Sequence, residues 1–497
     1  MRTITRACAV ALLLTVAPGV TAAQATISPL LITGPPYARI NIVLLSEGYT
    51  QQQLPRFQTD AGKIVSRLLL FAPFQEYANS FNAYAIAVAS QDSGADHPLS
   101  NDYRNTFFNS TYNSFQVDRL LTIPPNDRDP VSAHGAGRVD SLLEIFMPEF
   151  DLACVVVNDP VYGGSGGGII VVSTNSASAE IAIHELGHGF GRLGDEYESA
   201  YPGYPDIEEP NTTRETRREF IKWNRWILES TPLPTPAIPT YGSQVGLFEG
   251  AHYHATGWYR PKLNCMMRAL ANEYCEVCRQ QLVLSMYRLV RPIESYSPLA
   301  DVVNIRDTGS VVFSVTPVIP ASHALSLHWF LDSISLNGEN SFSYIVRAED
   351  VGNGMHTVRA NVFDSTAYVR SDPTGLLRDS VVWTLNVSGA TAAGAPAPPG
   401  VGGHFTLSQN FPNPFNPSTT IEFSIPCESR VTLELYNLLG EEVLLLFDEL
   451  RPRGTYRISL NGSGAGLASG VYFCRMEATT GIPSGRFVNT RRLVLLK

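Results

Sequence analysis

The sequence predicts an α/β (α+β) layer domain followed by two all-β sandwich domains, and three observations carry that reading. Up to Pro292 short apolar strand-like runs alternate with stretches of helical periodicity. Beyond Pro292 the pattern changes to period-two alternation of Val and aromatic residues between turn-rich segments. Residues 388–403, rich in Ala, Gly and Pro, then divide the β-rich part as a linker would. A chain of 497 residues exceeds what one hydrophobic core organises, so several domains are expected. With 44% hydrophobic and 16% charged residues it reads as globular rather than disordered, and its 39 glycines and 34 prolines point to many turns. A formal net charge of -10 gives no electrostatic reason to expect nucleic acid or an anionic membrane as partner.

The elements follow in order. Arg2 and Arg6, an apolar run from Ala7 to Ala17 and small residues from Ala22 to Ala25 have the order of a secretory signal peptide, residues 1–25. No later stretch reaches the ~18 apolar residues a membrane span needs. The domain expected over 26–292 opens with a buried strand, Arg39–Leu45, and a capping box of Thr50 and Gln53 that starts a helix. Phe57, Ala61, Ile64, Val65, Leu68 and Leu69 share one face of that helix. Strands are expected over Ala83–Ala89, Leu152–Val157 and Ile169–Val172. The glycine-rich run from Tyr162 to Gly168 reads equally as a mobile loop or as room for a substrate backbone beside an edge strand. Over 293–387, strands at Val311–Val315, Leu325–Leu331, His356–Phe363 and Val381–Val387 make a sandwich, and 404–497 alternates like a smaller one.

Export permits disulfides among Cys154, Cys265, Cys275, Cys278, Cys427 and Cys474 once Cys8 leaves with the signal. Cys427 and Cys474 make a plausible pair, being alone in the last domain. The Cys275-Glu-Val-Cys278 spacing suggests a metal site, but no fourth ligand is evident, and a disulfide involving Cys265 is the expected use.

The chemistry concentrates in Ile183-His184-Glu185-Leu186-Gly187-His188. Histidines four apart lie on one helix face and can reach one zinc ion, which at a catalytic site keeps a position open for water. Glu185 follows the first histidine, where its carboxylate can take a proton from that water and return it to a leaving amine. Gly187, Gly189 and Gly191 each sacrifice about 1 kcal/mol of helix propensity, which implies close packing or close substrate approach. For the third ligand Asp195 is the expected residue, Glu196 the next, and His252 and His254 are rivals. Tyr197, Tyr259 and Arg260 are candidate donors to the oxyanion of the tetrahedral intermediate.

His184 to Gly191, followed by Leu193-Gly194-Asp195-Glu196-Tyr197, resembles the extended active-site motif of the IgA-peptidase-like zinc metallopeptidases of bacteria. Glu47-Gly48-Tyr49-Thr50, Pro73-Phe74, Phe81-Asn82, Ser90 to Gly94, Tyr162-Gly163-Gly164, Ile221-Lys222-Trp223 and Gly257-Trp258-Tyr259-Arg260-Pro261 are similar too, so the likeness runs from about Arg39 to Arg288. It implies a zincin-like catalytic domain, Zn2+ as cofactor, a protein or peptide substrate, and a methionine-containing turn at Asn264-Cys265-Met266-Met267-Arg268 beneath the metal. It does not carry over a substrate preference.

Asn410-Phe411-Pro412-Asn413-Pro414-Phe415-Asn416-Pro417, Tyr436-Asn437, Gly470-Val471-Tyr472 and the closing Leu493 to Lys497 resemble the sorting modules of type IX secretion, which have an immunoglobulin-like shape. That resemblance implies secretion machinery as a partner and passage across an outer membrane. The expected protein is therefore a secreted or surface zinc endopeptidase. A surface binding protein or adhesin on a catalytically weak zincin scaffold is the alternative, and an amidase acting on cell-wall peptides a third.

Overall fold

The computed structural model describes residues 25–496 apart from 125–134, 202, 307–308, 337–340, 390–404, 426–427, 439, 453, 463 and 481–485. The expected signal peptide (all but Ala25), most of the expected linker at 388–403, and Cys427 lie outside the described residues. Two compact units emerge. The first runs to Glu294 and takes in Pro317–Ser326 and Val362–Asp379; the second comprises Ser295–Thr316, Leu327–Asn361 and Ser380–Lys497.

The first unit is built on a six-stranded sheet. Its strands are β1 (Thr26–Leu31), β2 (Ile40–Glu47), β3 (Phe81–Ala87), β4 (Leu152–Val157), β5 (Gly164–Ser165) and β6 (Ile170–Ser173), in the order β1-β3-β2-β4-β6-β5. The four inner strands β3, β2, β4 and β6 run parallel, while β1 and β5 are antiparallel edges. β2 is buried throughout because both faces of the sheet are covered. Ile40, Ile42 and Leu44 join the core that contains helix α1 (Leu54–Leu68), and Val43 and Leu45 join the core that contains α2 (Ala136–Phe146).

Helix α1 buries Phe57, Ala61, Ile64, Val65 and Leu68, the stripe its periodicity predicts. Its start differs from the expected capping box. The Thr50 side chain does not cap the helix; instead Gln53 Oε1 accepts the Thr50 N–H at 3.0 Å and the Asn158 amide at 3.1 Å, and the helix begins at Leu54. Helices α3 (Ser178–Gly189) and α4 (Glu276–Leu289) pack in the same core as α1. A hairpin of β7 (Phe248–Ala251) and β8 (His254–Arg260) stands apart from the main sheet. Asp364, in the second inserted stretch, accepts the hydroxyls of Tyr77 at 2.6 Å and Tyr287 at 2.7 Å, with His323 Nε2 at 2.9 Å.

The later strands form two mainly antiparallel sandwiches. Around Trp329 and Trp383, whose rings stack at 6.0 Å, lie a five-stranded and a three-stranded sheet. The final sandwich encloses Ile421, Phe423, Leu433, Leu435, Cys474 and Met476. Among the described residues no helix is long and apolar enough to cross a membrane.

Candidate active site

Helix α3 buries Ile181, Ile183 and Leu186 against the sheet and leaves His184, Glu185 and His188 half-buried. Gly187 is required by close approach: a Cβ there would stand 2.4 Å from Met267 Sδ, so the methionine floor lies directly beneath the helix. After Gly189 the chain turns away. Arg192, at φ 53, takes the left-handed position, and the Leu193 N–H returns to the Gly187 carbonyl at 2.9 Å. This turn delivers Gly194-Asp195-Glu196 back alongside the two histidines.

The imidazoles are oriented from behind. His184 Nδ1 lies 2.9 Å from the Met266 carbonyl and His188 Nδ1 lies 2.7 Å from the Leu193 carbonyl. A carbonyl oxygen only accepts, so in the neutral rings each Nδ1 carries the proton and each Nε2 presents a lone pair. The two Nε2 atoms are 3.2 Å apart, and Asp195 Oδ1 stands 3.2 Å and 3.3 Å from them. That oxygen is buried with no hydrogen-bond donor to it among the described residues. Donors at zinc's usual 2.0–2.1 Å on a tetrahedron are about 3.3 Å apart, so the set has the spacing zinc requires.

Without an ion a proton takes its place. Burial depresses the His188 pKa, but Asp195 outweighs it and lifts the value to about 9. Burial alone would raise the Asp195 carboxyl, and the two imidazoles instead hold it well below the usual carboxylate range. Burial pushes Glu185 up from its ordinary value, with His184 and His188 opposing. Glu185 faces the glycine loop: a Cβ on Gly166 would meet its Oε2 at 2.0 Å. The stretch Gly164–Ser165 forms the antiparallel edge strand β5, with Gly164 bridged on its other side to Leu120.

The structure thus brings His184, His188, Asp195 and Glu185 together, and leaves the rivals elsewhere. Glu196 turns to the opposite side. Its Oε1 accepts from Asn211 at 2.9 Å and lies 3.5 Å from Cys278 Sγ. His252 has both ring nitrogens engaged, with Glu209 Oε2 at 3.0 Å and the Pro205 carbonyl at 2.9 Å, and His254 Nδ1 lies 2.5 Å from the His252 carbonyl. The buried Arg260 donates to the Glu249 and Gly250 carbonyls rather than toward the histidines, and Tyr259 pairs through its backbone with Thr213.

Sequence reasoning missed Tyr253. It sits in the β7–β8 turn beside His252, both at positive φ, and its hydroxyl donates to Asp195 Oδ2. Its ring packs edge-on against Tyr197 at 5.2 Å. No local signal marks it, since it lies 58 residues beyond its partner.

The expected disulfide at Cys265 is corrected. Cys154, Cys265, Cys275, Cys278 and Cys474 are all free and buried. Cys265 and Cys275 stand 3.7 Å and 3.5 Å from Cys278, sulfur to sulfur, where a bond needs about 2.05 Å. The three thiols converge on Glu196 instead of pairing. Cys474 lies in the last sandwich core, and its expected partner Cys427 is outside the described residues.

Two imidazoles one helical turn apart, a carboxylate following the first and an acidic donor just past the helix, on an α/β layer with an antiparallel edge strand, define a zincin-type metallopeptidase. The model of the family described as IgA Peptidase M64 matches residues 28–240 and 237–286, over half of the chain, and this chain belongs to that family. The model of the secretion system C-terminal sorting domain matches residues 409–488. No curated protein matches.

Among solved structures, dimeric latent PorU from Porphyromonas gingivalis is similar at 14% identity and a TM-score of 0.17 over 41% of this chain and 20% of that one. The fibronectin(III)-like modules of CbhA from Clostridium thermocellum are similar at 9% identity and a TM-score of 0.15, over 40% of this chain and 93% of theirs. The match therefore spans about a fifth of the PorU chain.

Proposed function

We propose that the protein is an exported zinc endopeptidase in which His184, His188 and Asp195 hold the ion and Glu185 moves the proton. The observation that carries this reading is the convergence of three lone-pair donors, two Nε2 and one carboxylate oxygen, within 3.3 Å of one another with no proton donor between them. Only a cation or a proton relieves that arrangement.

A bound zinc supplies Lewis-acid polarisation of the scissile carbonyl and lowers the pKa of a water from about 15.7 to about 7. The chain's own residues do the rest. The Met266 and Leu193 carbonyls fix the two rings with Nε2 inward. Tyr253 engages the outer oxygen of Asp195 and leaves the inner one for the ion. Glu185, whose carboxyl burial pushes up from its ordinary value, takes a proton from the attacking water and returns it to the leaving amine. Gly166 borders Glu185, and the open space at Gly167 and Gly168 leaves room beside it for an extended peptide backbone.

The domain plan proposed with this function is a catalytic domain over 26–292, a sandwich over 293–387, a linker over 388–403 and a sorting domain over 404–497. Substrates are proteins or peptides, and the sorting domain engages the secretion machinery that carries the protein to the cell surface or beyond. Glu185→Gln should retain zinc and lose casein hydrolysis by about 10²–10⁴-fold. Undiminished hydrolysis by that variant would sink the mechanism. Zinc binding by the unaltered protein with no cleavage of any peptide library would favour a surface binding protein.

A further inference from the structure

A second donor set lies on the other side of the same loop. Cys265, Cys275, Cys278 and Glu196 are all at most 2% exposed, and their ligand atoms lie within 4.8 Å of one another. They come from three separate stretches of chain. Glu196 follows the end of α3, Cys265 belongs to the methionine turn, and Cys275 and Cys278 open α4, whose N-terminal end favours negative charge.

We propose that Cys265, Cys275, Cys278 and Glu196 form a second, structural zinc site that braces the first. The distances carry it. A tetrahedral zinc with sulfur at about 2.3 Å and oxygen at about 2.0 Å has edges of about 3.8 Å between sulfurs and about 3.5 Å from sulfur to oxygen. Three of the six edges are 3.7 Å and 3.5 Å between sulfurs and 3.5 Å from Cys278 Sγ to Glu196 Oε1, and the rest lie within 4.8 Å. A disulfide would collapse one of these edges to about 2.05 Å and strand the third thiol beside a buried carboxylate.

A second observation is independent of the sulfurs. Glu196 is completely buried, and its Oε2 has no hydrogen-bond partner among the described residues. A fully buried carboxylate with one oxygen lacking a donor is unfavourable as an anion, and a bound cation neutralises it. The surroundings favour anionic ligands as well: Asn211 donates to Glu196 Oε1 at 2.9 Å, and the Cys275 N–H points at Cys265 Sγ from 3.3 Å. Three thiolates and one carboxylate are a closed set with no place for water, the signature of a structural rather than a reactive zinc.

The brace acts through three adjacent backbone links. Asp195, a donor to the first site, is the residue before Glu196. The Met266 carbonyl that orients His184 follows Cys265, and the Glu196 N–H donates to the Met267 carbonyl at 2.8 Å.

The test uses the full chain and counts metal. Elemental analysis should find two zinc ions per chain in the unaltered protein. The variant His184→Ala/His188→Ala should keep one, and replacing that ion with cobalt should give thiolate-to-metal charge-transfer bands in the near ultraviolet. Loss of all zinc from the double variant, absence of those bands, or a disulfide among the three cysteines in a non-reduced peptide map would each overturn the proposal. Cobalt loaded into the unaltered protein reads out the same bands without relying on a variant that folds. One thiolate-bound zinc with no peptidase activity would sink the peptidase reading and leave this one standing.

Discussion

The two donor sets flanking Asp195–Glu196 are built from the same loop and differ in access. His184 and His188 side chains are 13% and 24% exposed, whereas the cysteine cluster is sealed. The first set has three protein donors and the second has four. Successive residues of an extended chain point to opposite sides, so one dipeptide serves both sets, Asp195 outward to the cleft and Glu196 inward to the core. The difference between a reactive ion and a scaffold ion is thus one missing protein donor and a path to solvent.

That contrast can be broken from either side. The largest effect after loss of Glu185 itself should come from Gly166→Ala. The new methyl displaces the Glu185 carboxylate, so kcat should fall about 10²-fold while both zinc ions stay bound, as steady-state kinetics and metal analysis would report. Unchanged kcat would mean that Glu185 does not depend on the glycine loop. Cys278→Ser acts from the buried side. It should weaken the open site's hold on zinc by about 10–100-fold, read by competition with a chelator, because the Asp195 and Met266 supports loosen.

Acid should discriminate more gently. His188 in the metal-free site holds a proton up to about pH 9, so zinc has to displace it throughout the neutral range. Affinity at the open site should rise about tenfold per pH unit and flatten above about pH 9, measured by titration of the zinc-free protein in buffers of graded pH. A flat profile would place the proton elsewhere.

The open site was legible because its key spacing is local. Two histidines four apart need only one helix, and Asp195 follows within one turn of chain. Between Asp195 and Glu196 the sequence supports only an expectation; what favours Asp195 is that its Oδ1 lies 3.2 Å and 3.3 Å from the two imidazoles while Glu196 faces the cysteines. The sealed set was misread for a related reason. With Glu196 considered only for the first ion, the cysteines lacked a fourth donor, and export chemistry suggested a disulfide. Tyr253 was invisible, since its role arises from a hairpin turn that two positive-φ residues shape. The four inner strands of the main sheet were legible to within a few residues because continuous apolar runs such as Leu152–Val157 are buried, whereas the edges β1 and β5, only partly buried, carry no such run.

Asp364 gathers Tyr77, Tyr287 and His323, and Val318 and Leu377 join the core that holds α1 and α4. The hydrolytic half of the molecule therefore borrows residues encoded well after its own last helix. A chain that emerges from the ribosome or an export pore N-terminus first cannot complete this core until Leu377 is out. Completion of that core is thereby timed to follow synthesis of most of the polypeptide.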